Sequence, residues 1–187
     1  MTRTIWTMGH STHTLEAFVA LLRQHGITAA VDVRAFPGSR VIPTSRANAL
    51  KVPFPRAGID YTWLGRELGG RRRSNSQPSL NTALRNESFR NFADFMTTLL
   101  FEEGIDRLLQ RASKKSTAFF CAELLWWRCH RSLISDYLTL ARGWEVRHII
   151  DLAEPKEHKV KPEAHLSKER LIYAEPDLFT PLRGYKS

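Results

Sequence analysis

The fold is decided by the stretch TIWTMGHSTHTLEAFVALLRQHGITAAVDVR, residues 4–34. Its first part alternates residues that favour strands and ends at Gly9. The middle part carries apolar residues at helical spacing, with Thr14 suited to cap the start of a helix and Gly26 suited to end it. The run ITAAVDVRA follows, and its apolar, partly β-branched start is typical of a buried strand. The order strand, helix, strand predicts two parallel strands joined by a crossover helix.

The same alternation continues along the chain. Further strands are predicted in GIDYTWL, STAFFCAE and EVRHII, residues 58–64, 116–123 and 145–150. Helices are predicted in SRANAL (45–50), in a long segment that Ser88 caps and that is broken near Gly104, and in SLISDYLTLARG (132–143). The segment ELGGRRRSNSQPS (67–79) is rich in turn residues and predicts a mobile or ligand-dependent loop. We expect an α/β fold, a single domain with a mostly parallel β-sheet flanked by helices on both faces.

Length and composition indicate one globular domain. The chain has 187 residues, of which 42% are hydrophobic and 25% charged. We expect an α/β domain over residues 1–152 and a polar C-terminal extension over 153–187 that packs on the domain or trails from it. No run approaches the roughly 20 apolar residues that a membrane-spanning helix needs, and the start lacks the apolar segment of a signal peptide. These features predict a cytoplasmic protein without a membrane partner, and they leave its oligomeric state open.

The charge of the chain favours anionic partners. The formal net charge is +9, and the 28 basic residues are 20 arginines and 8 lysines. Arginine presents a planar fork that matches the oxygens of phosphates and carboxylates. The run Arg71-Arg72-Arg73 and the pair Trp126-Trp127 would also suit a nucleic acid, through phosphate contacts and base stacking.

Reactive side chains are predicted to gather at one edge of the sheet, because ligands of open parallel sheets bind beyond the carboxyl ends of the strands. We expect catalytic roles for Cys129, Cys121, His10, His130, Glu123 and Asp32. We expect ligand contacts from Ser11, Arg34, Ser39, Arg40, Gly69, Gly70 and Arg131. The two cysteines do not make a disulfide framework, and we expect them as thiols.

Cys129 is the most distinctive of these residues. It is predicted to lie where a helix begins, beside His130 and between Arg128 and Arg131, and each of these neighbours favours thiolate over thiol. Structural interpretations are open for the others. Asp32 and Arg34 share a strand face and could be an ion pair, His10 could be a hydrogen-bonded turn residue, and Cys121 could be a small core residue.

Several motifs together resemble a known family. In chain order, TMGHS, DVRAFPGSR, GIDYTWLGRELGG and CAELLWWRCHRSLI followed by VRHI resemble the signature blocks of the bacterial and archaeal domain-of-unknown-function family 488. The resemblance extends over about residues 4–150. It implies an α/β fold with a parallel sheet and with the polar blocks gathered at one end. The LLWW insert is bulkier and more apolar than the polar, proline-containing insert of that family. The resemblance implies no activity.

Three functions and one structural interpretation follow from these features. The leading hypothesis is a Cys/His-based enzyme, or a former enzyme, acting on a phosphate-bearing, nucleotide-like or other anionic ligand in a pocket at the carboxyl edge of the sheet. A non-catalytic nucleic-acid-binding module is the second. A metal site formed by Cys121, Cys129 and His130, with His10 or Glu123, is the third. Alternatively, the polar groups form a network that only ties strand ends to helix starts. The sequence leaves the cofactor and the reaction open.

Overall fold

The computed structural model describes residues 3–36, 53–74, 77–168 and 170–175. The helix predicted over residues 45–50 and the predicted ligand-binding residues Ser39 and Arg40 lie outside these ranges.

A mostly parallel sheet forms the centre of the molecule. Its strands are β1 (Thr4–Gly9), β2 (Ala29–Asp32), β3 (Asp60–Trp63), β4 (Thr117–Cys121), β5 (Glu145–Ile149) and β6 (Lys156–Glu157). Their spatial order is β3-β2-β4-β1-β5-β6, and only β6 runs antiparallel to its neighbour. The register places Gly9 beside Cys121 and Asp32 beside Phe120, so the carboxyl ends of β1, β2 and β4 form one edge.

Helices lie between the strands, and the four-residue helices at 53–56 and 65–68 were not predicted from the sequence. They are α1 (Leu15–Gln24), α2 (Pro53–Arg56), α3 (Gly65–Leu68), α4 (Glu87–Phe95), α5 (Leu99–Ala112) and α6 (Arg131–Leu140). A 3₁₀ turn, Trp126–Arg128, lies between β4 and α6. The apolar residues divide into two clusters, because successive strand residues point to opposite faces of the sheet. Phe18 of α1 packs with Met8 and Phe120 on one face, whereas Ile105 of α5 packs with Ile5 on the other. The predicted α/β fold is confirmed.

The helix boundaries correct two predictions. As predicted, the Thr14 side chain accepts a hydrogen bond from the backbone N–H of Ala17 at the start of α1. The prediction of a long helix capped by Ser88 is wrong, because Asn86 caps α4 and Thr98 caps a separate helix, α5. Gly104 does not break α5. It lies inside that helix, at a close approach where an added Cβ would come within 2.6 Å of the Glu67 side chain.

The C-terminal segment contains strands that the sequence analysis did not predict. After β6, a hairpin is formed by β7 (Ala164–Ser167) and β8 (Arg170–Tyr173). Tyr173 is fully buried, its backbone N–H donates to Asn81 Oδ1 at 3.0 Å, and its hydroxyl donates to Asp136 Oδ2 at 3.0 Å. The described part of this segment therefore contacts the rest of the molecule, and the division at residue 152 stays a prediction. Within the described ranges, no helix has the length and apolar character needed to cross a membrane.

Candidate functional site

A pocket of about 750 Å³ opens at the carboxyl edge of the sheet. It lies where the chain leaves the neighbouring strands β1 and β4 toward opposite faces, which is the usual place for a ligand in an open parallel sheet. Among the described residues its lining is His10, Ser11, Arg34, Ala35, Phe36, Gly70, Arg71, Ser88, Phe89, Cys121, Ala122, Glu123, Arg128, Cys129 and His130. Eight of the thirteen residues chosen from the sequence are thus brought together there.

Arg34 is held in the pocket wall by the buried carboxylate of Asp32. Nε and Nη2 of Arg34 donate to the two carboxylate oxygens at 2.9 and 2.6 Å, and the Tyr61 hydroxyl donates to Oδ2 at 2.9 Å. Burial opposes the charge of Arg34, but the Asp32 carboxylate outweighs it and raises the pKa of the guanidinium. Because its oxygens are occupied by these hydrogen bonds, Asp32 acts on the pocket through Arg34.

His10 is the third member of this arrangement. Nη1 of Arg34 lies 3.0 Å from His10 Nε2, and His10 Nδ1 lies 3.1 Å from the Ser11 carbonyl oxygen. Burial, followed by the charge of Arg34, lowers the pKa of His10 to about 4, so the ring is neutral at pH 7. A neutral ring that donates from Nδ1 to the Ser11 carbonyl can accept from Arg34 at Nε2. These contacts favour a positioning role for His10, with its lone pair turned to Arg34.

The two cysteines lie beside each other and both line the pocket. Their sulfur atoms are within 4.8 Å of each other, and Cys129 Sγ lies 3.4 Å from Nδ1 of His130. The neighbouring Cys121 thiol, together with His130 and Arg131, outweighs burial and holds the pKa of Cys129 well below its usual range. The neighbouring Cys129 sulfur and burial raise the pKa of Cys121. Of the pair, Cys129 is therefore the sulfur that ionises more readily.

The backbone around Cys129 places its sulfur close to the start of α6. The 3₁₀ turn ends at Arg128, and α6 begins at Arg131, one residue before the start of the predicted helix 132–143 and two residues after Cys129. Cys129 directly precedes His130, the N-cap of α6, so the positive end of the helix dipole favours the thiolate. Its side chain is only 5% exposed, yet it lines the pocket.

His130 is fixed from two sides. Its Nε2 lies 3.2 Å from the carbonyl oxygen of Val33, while Nδ1 faces Cys129. A Cβ added to Gly70 would come within 2.5 Å of Nδ1, so only glycine allows the chain to pass this close to the ring. Gly69 makes a similarly close approach to the backbone of Ala35, but it does not line the pocket.

Arg131 lies behind the pocket wall and does not line it. Its side chain is 1% exposed, with Nη1 donating to the Thr7 hydroxyl at 3.0 Å and Nη2 donating to the carbonyl oxygens of Glu123 and Leu124. The guanidinium therefore holds the loop after β4 against β1. It supports the Cys129 thiolate by its charge, and none of these contacts places it in reach of a ligand in the pocket.

The loop between β4 and α6 is fastened at a second point by Trp126. Its ring stacks on His148 of β5, with centroids 3.9 Å apart and planes within 1° of parallel. His148 Nε2 lies 3.0 Å from His158 Nδ1, and His158 Nε2 lies 2.8 Å from Asp136 Oδ1. This network joins the loop, β5, α6 and the C-terminal segment.

A family comparison covers most of the residues that form the pocket. The family model of the domain of unknown function DUF488 matches residues 14–138. The chain belongs to the DUF488 family. Neither a curated protein nor a solved structure matches it. The matched region contains every described residue of the pocket lining except His10 and Ser11.

Sequence reasoning about this DUF488 chain missed part of the pocket. Arg71 and Arg128 line it, so that with Arg34 the described lining contains three arginines and one acidic residue, Glu123. The position of Arg128 beside Cys129 was a usable indication. No sequence pattern indicated that Ser88 and Phe89 line the pocket, because the start of α4 is brought to the pocket by the tertiary fold.

The structure also bears on the two alternatives for this DUF488 protein. Arg72 donates to the carbonyl oxygens of Gly69 and Arg66, and Trp126 is stacked on His148, so two groups invoked for nucleic-acid binding are engaged within the protein. One ligand atom each from Cys121, Cys129 and His130 lie within 4.8 Å of one another. Both nucleic-acid binding and metal binding stay predictions.

Proposed function

We propose that this protein is an enzyme that binds a small phosphate-bearing or other anionic substrate in the pocket and attacks it with the Cys129 thiolate. In this proposal Arg34, Arg71 and Arg128 hold the anionic groups of the substrate. In its protonated form His130 donates to the thiolate from Nδ1 while Nε2 donates to the Val33 carbonyl oxygen, and the Cys121 thiol is a second proton donor beside the sulfur. His10 and Asp32 keep Arg34 in place.

The observation that carries the proposal is the environment of the Cys129 sulfur. It lies at the wall of a cationic pocket, 3.4 Å from an imidazole nitrogen and directly before the N-cap of α6. Thiolates in such surroundings are nucleophiles at neutral pH. A group placed only for stability does not need to combine a low pKa with access to a pocket.

The pocket also supports the choice of an anionic substrate. Arg71 and Arg128 are exposed residues of its lining, and Arg34 of the same lining is oriented by Asp32. A guanidinium has five N–H donors, whereas the contacts of Arg34 with Asp32 and His10 use three side-chain N–H groups. Phe36 and Phe89 line the same pocket and offer apolar contacts for the remainder of the substrate.

The proposal is tested by alkylating the protein with iodoacetamide at pH 7 in the presence and absence of inorganic phosphate. We expect modification to occur first at Cys129 and phosphate to slow it. The double variant Arg71→Gln/Arg128→Gln should lose the protection. Arg73→Gln is the matched control, because Arg73 is exposed and does not line the pocket. Modification of Cys129 no faster than that of a free thiol would reject the nucleophile, and equal protection in all variants would reject the anion site.

A further inference from the structure

The two cysteines of the chain form a pair at the pocket wall. Both are free thiols, one at the end of β4 and the other just before α6, and both line the pocket. Their sulfur atoms lie within 4.8 Å of each other. A disulfide needs the two sulfurs about 2.05 Å apart, so the two side chains have to rotate toward each other to close the remaining separation.

The two sulfurs differ in the way that thiol–disulfide exchange requires. Cys129 Sγ lies 3.4 Å from Nδ1 of His130, and its pKa is lowered by Cys121, His130 and Arg131, which favours the thiolate that attacks a disulfide. Cys121 is held as a thiol next to it, available to attack once Cys129 has been modified and its charge is gone. Cys129 thus supplies the attacking sulfur and Cys121 the resolving sulfur, and both line the same pocket.

We infer that Cys121 and Cys129 form a dithiol–disulfide couple that reduces a small disulfide carrying carboxylate or phosphate groups. This inference rests on the proposed function, in which Cys129 is the nucleophile that faces the pocket. It adds the class of electrophile and a role for Cys121 as the resolving residue. The three arginines of the lining supply the attraction for the anionic groups of the disulfide.

The reaction balances without a further reagent. The Cys129 thiolate attacks one sulfur of the substrate R–S–S–R, a Cys129–S–S–R bond forms, the substrate S–S bond breaks and R–S⁻ leaves. Cys121 then loses its proton to the released thiolate and attacks Cys129 Sγ, which breaks the bond to the substrate sulfur and releases the second R–S⁻. Two electrons pass from the protein dithiol to the substrate disulfide, which leaves as two thiols, one of them protonated by Cys121.

The experiment mixes the reduced full-length protein with oxidised glutathione, an anionic disulfide, and follows products by intact mass and peptide mapping after an acid quench. For the natural chain we expect a Cys121–Cys129 disulfide and loss of both protein thiols, without a stable mixed disulfide. The Cys121→Ser variant should accumulate the mixed disulfide at Cys129, and Cys129→Ser should form neither product at a comparable rate. An uncharged disulfide, hydroxyethyl disulfide, should react more slowly than oxidised glutathione, and Arg128→Gln should reduce that difference.

A stable mixed disulfide on Cys129 of the natural chain, with Cys121 still free, would overturn the inference. Two unreacted thiols would also overturn the inference. If Cys129 of that protein is still alkylated rapidly and protected by phosphate, the proposed function stands and only the disulfide chemistry is rejected. If Cys129 is alkylated no faster than a free thiol and Cys121→Ser forms no adduct, the proposed function fails as well. Unchanged circular dichroism spectra of the serine variants keep these outcomes separate from misfolding.

Discussion

At the scale of single residues, the reactivity of Cys129 depends on the position of one imidazole ring. His130 is held between the Val33 carbonyl oxygen, the Cys129 sulfur and the backbone of Gly70. The glycine matters because it allows close approach, since an added Cβ would fall 2.5 Å from Nδ1. The ring itself is buried and cannot move aside without breaking a contact.

Gly70→Ala therefore tests the role of this ring. We expect the added methyl group to move Nδ1 away from the sulfur and to raise the pKa of Cys129, because one stabilising partner of the thiolate is weakened. The pH at which the iodoacetamide rate reaches half of its plateau should therefore rise, and the rate at pH 7 falls with the thiolate fraction. Ser88→Ala is the control, since Ser88 lines the same pocket and is exposed. Equal rates in both variants would mean that His130 does not set the reactivity of Cys129.

Residue chemistry was partly predictable from the sequence. The spacing of Asp32 and Arg34 predicted a shared strand face, and the two side chains do form an ion pair at 2.6 Å. The direction of Arg131 was not predictable, because an arginine after a cysteine can point either to a ligand or into the protein. Its burial against Thr7 depends on a strand more than a hundred positions earlier in the chain.

At the scale of elements, the loop between β4 and α6 determines where the sulfur of Cys129 lies. The loop is held by Arg131 through the carbonyl oxygens of Glu123 and Leu124, and by the stack of Trp126 on His148. The neighbouring Trp127 contacts Trp126 edge-on but is 44% exposed. The apolar LLWW insert therefore contains one anchoring tryptophan and one exposed tryptophan.

Replacing each tryptophan by alanine separates these roles. Trp126→Ala should lower the free energy of unfolding by about 3 kcal/mol through the lost packing, and it should slow alkylation of Cys129 as the loop loosens. Trp127→Ala should change the free energy of unfolding by no more than about 0.5 kcal/mol. Urea denaturation and the iodoacetamide rate measure both effects. A larger loss in Trp127→Ala than in Trp126→Ala would contradict the anchoring role.

The elements followed from the sequence where hydrophobic spacing and caps agreed. The apolar spacing and the Thr14 cap agree for α1, and the apolar residues of β1 and β2 agree with strands on either side of it. These three elements were predicted correctly. The agreement fails between α4 and α5, where the apolar spacing continues across a break that Thr98 creates by capping a new helix. The short strands of the C-terminal segment carry no clear alternation and are defined by their partners in the fold.

At the scale of the whole molecule, the buried histidines couple stability to pH. His148 is buried, and burial, followed by the charges of His158 and Arg131, lowers its pKa to about 2, while the pKa of His10 is lowered to about 4. Both histidines are neutral in the folded chain at pH 5, whereas in the unfolded chain they bind protons below about pH 6.5. The unfolded chain thus binds more protons in acid, so stability is lost as the pH falls from 6.5 toward 4.

We expect the free energy of unfolding to fall with pH over this window, approaching about 1.4 kcal/mol per pH unit for each histidine. Urea denaturation at pH 7, 6 and 5 measures the slope. His10→Gln and His148→Asn should each reduce the slope, which is a more specific readout than absolute stability because any substitution at a buried site is destabilising. A slope that is the same in all three proteins would contradict the assignment of these pKa values.

The convergence of the reactive blocks at one sheet edge was predictable from topology alone, because parallel strands end on the same side. Which residues then face the pocket was not. The lining by Arg71 and Phe89 depends on how the chain after α3 returns across the opening, and no local pattern encodes that path.

The central claim is that Cys129 is a thiolate at neutral pH, and titration of its ultraviolet thiolate absorbance tests this most directly. The difference between the natural chain and Cys129→Ser isolates the signal of this sulfur. The geometry around His130 and α6 predicts a midpoint clearly below the value of about 8.5 for a free cysteine. A midpoint at or above that value would contradict the account.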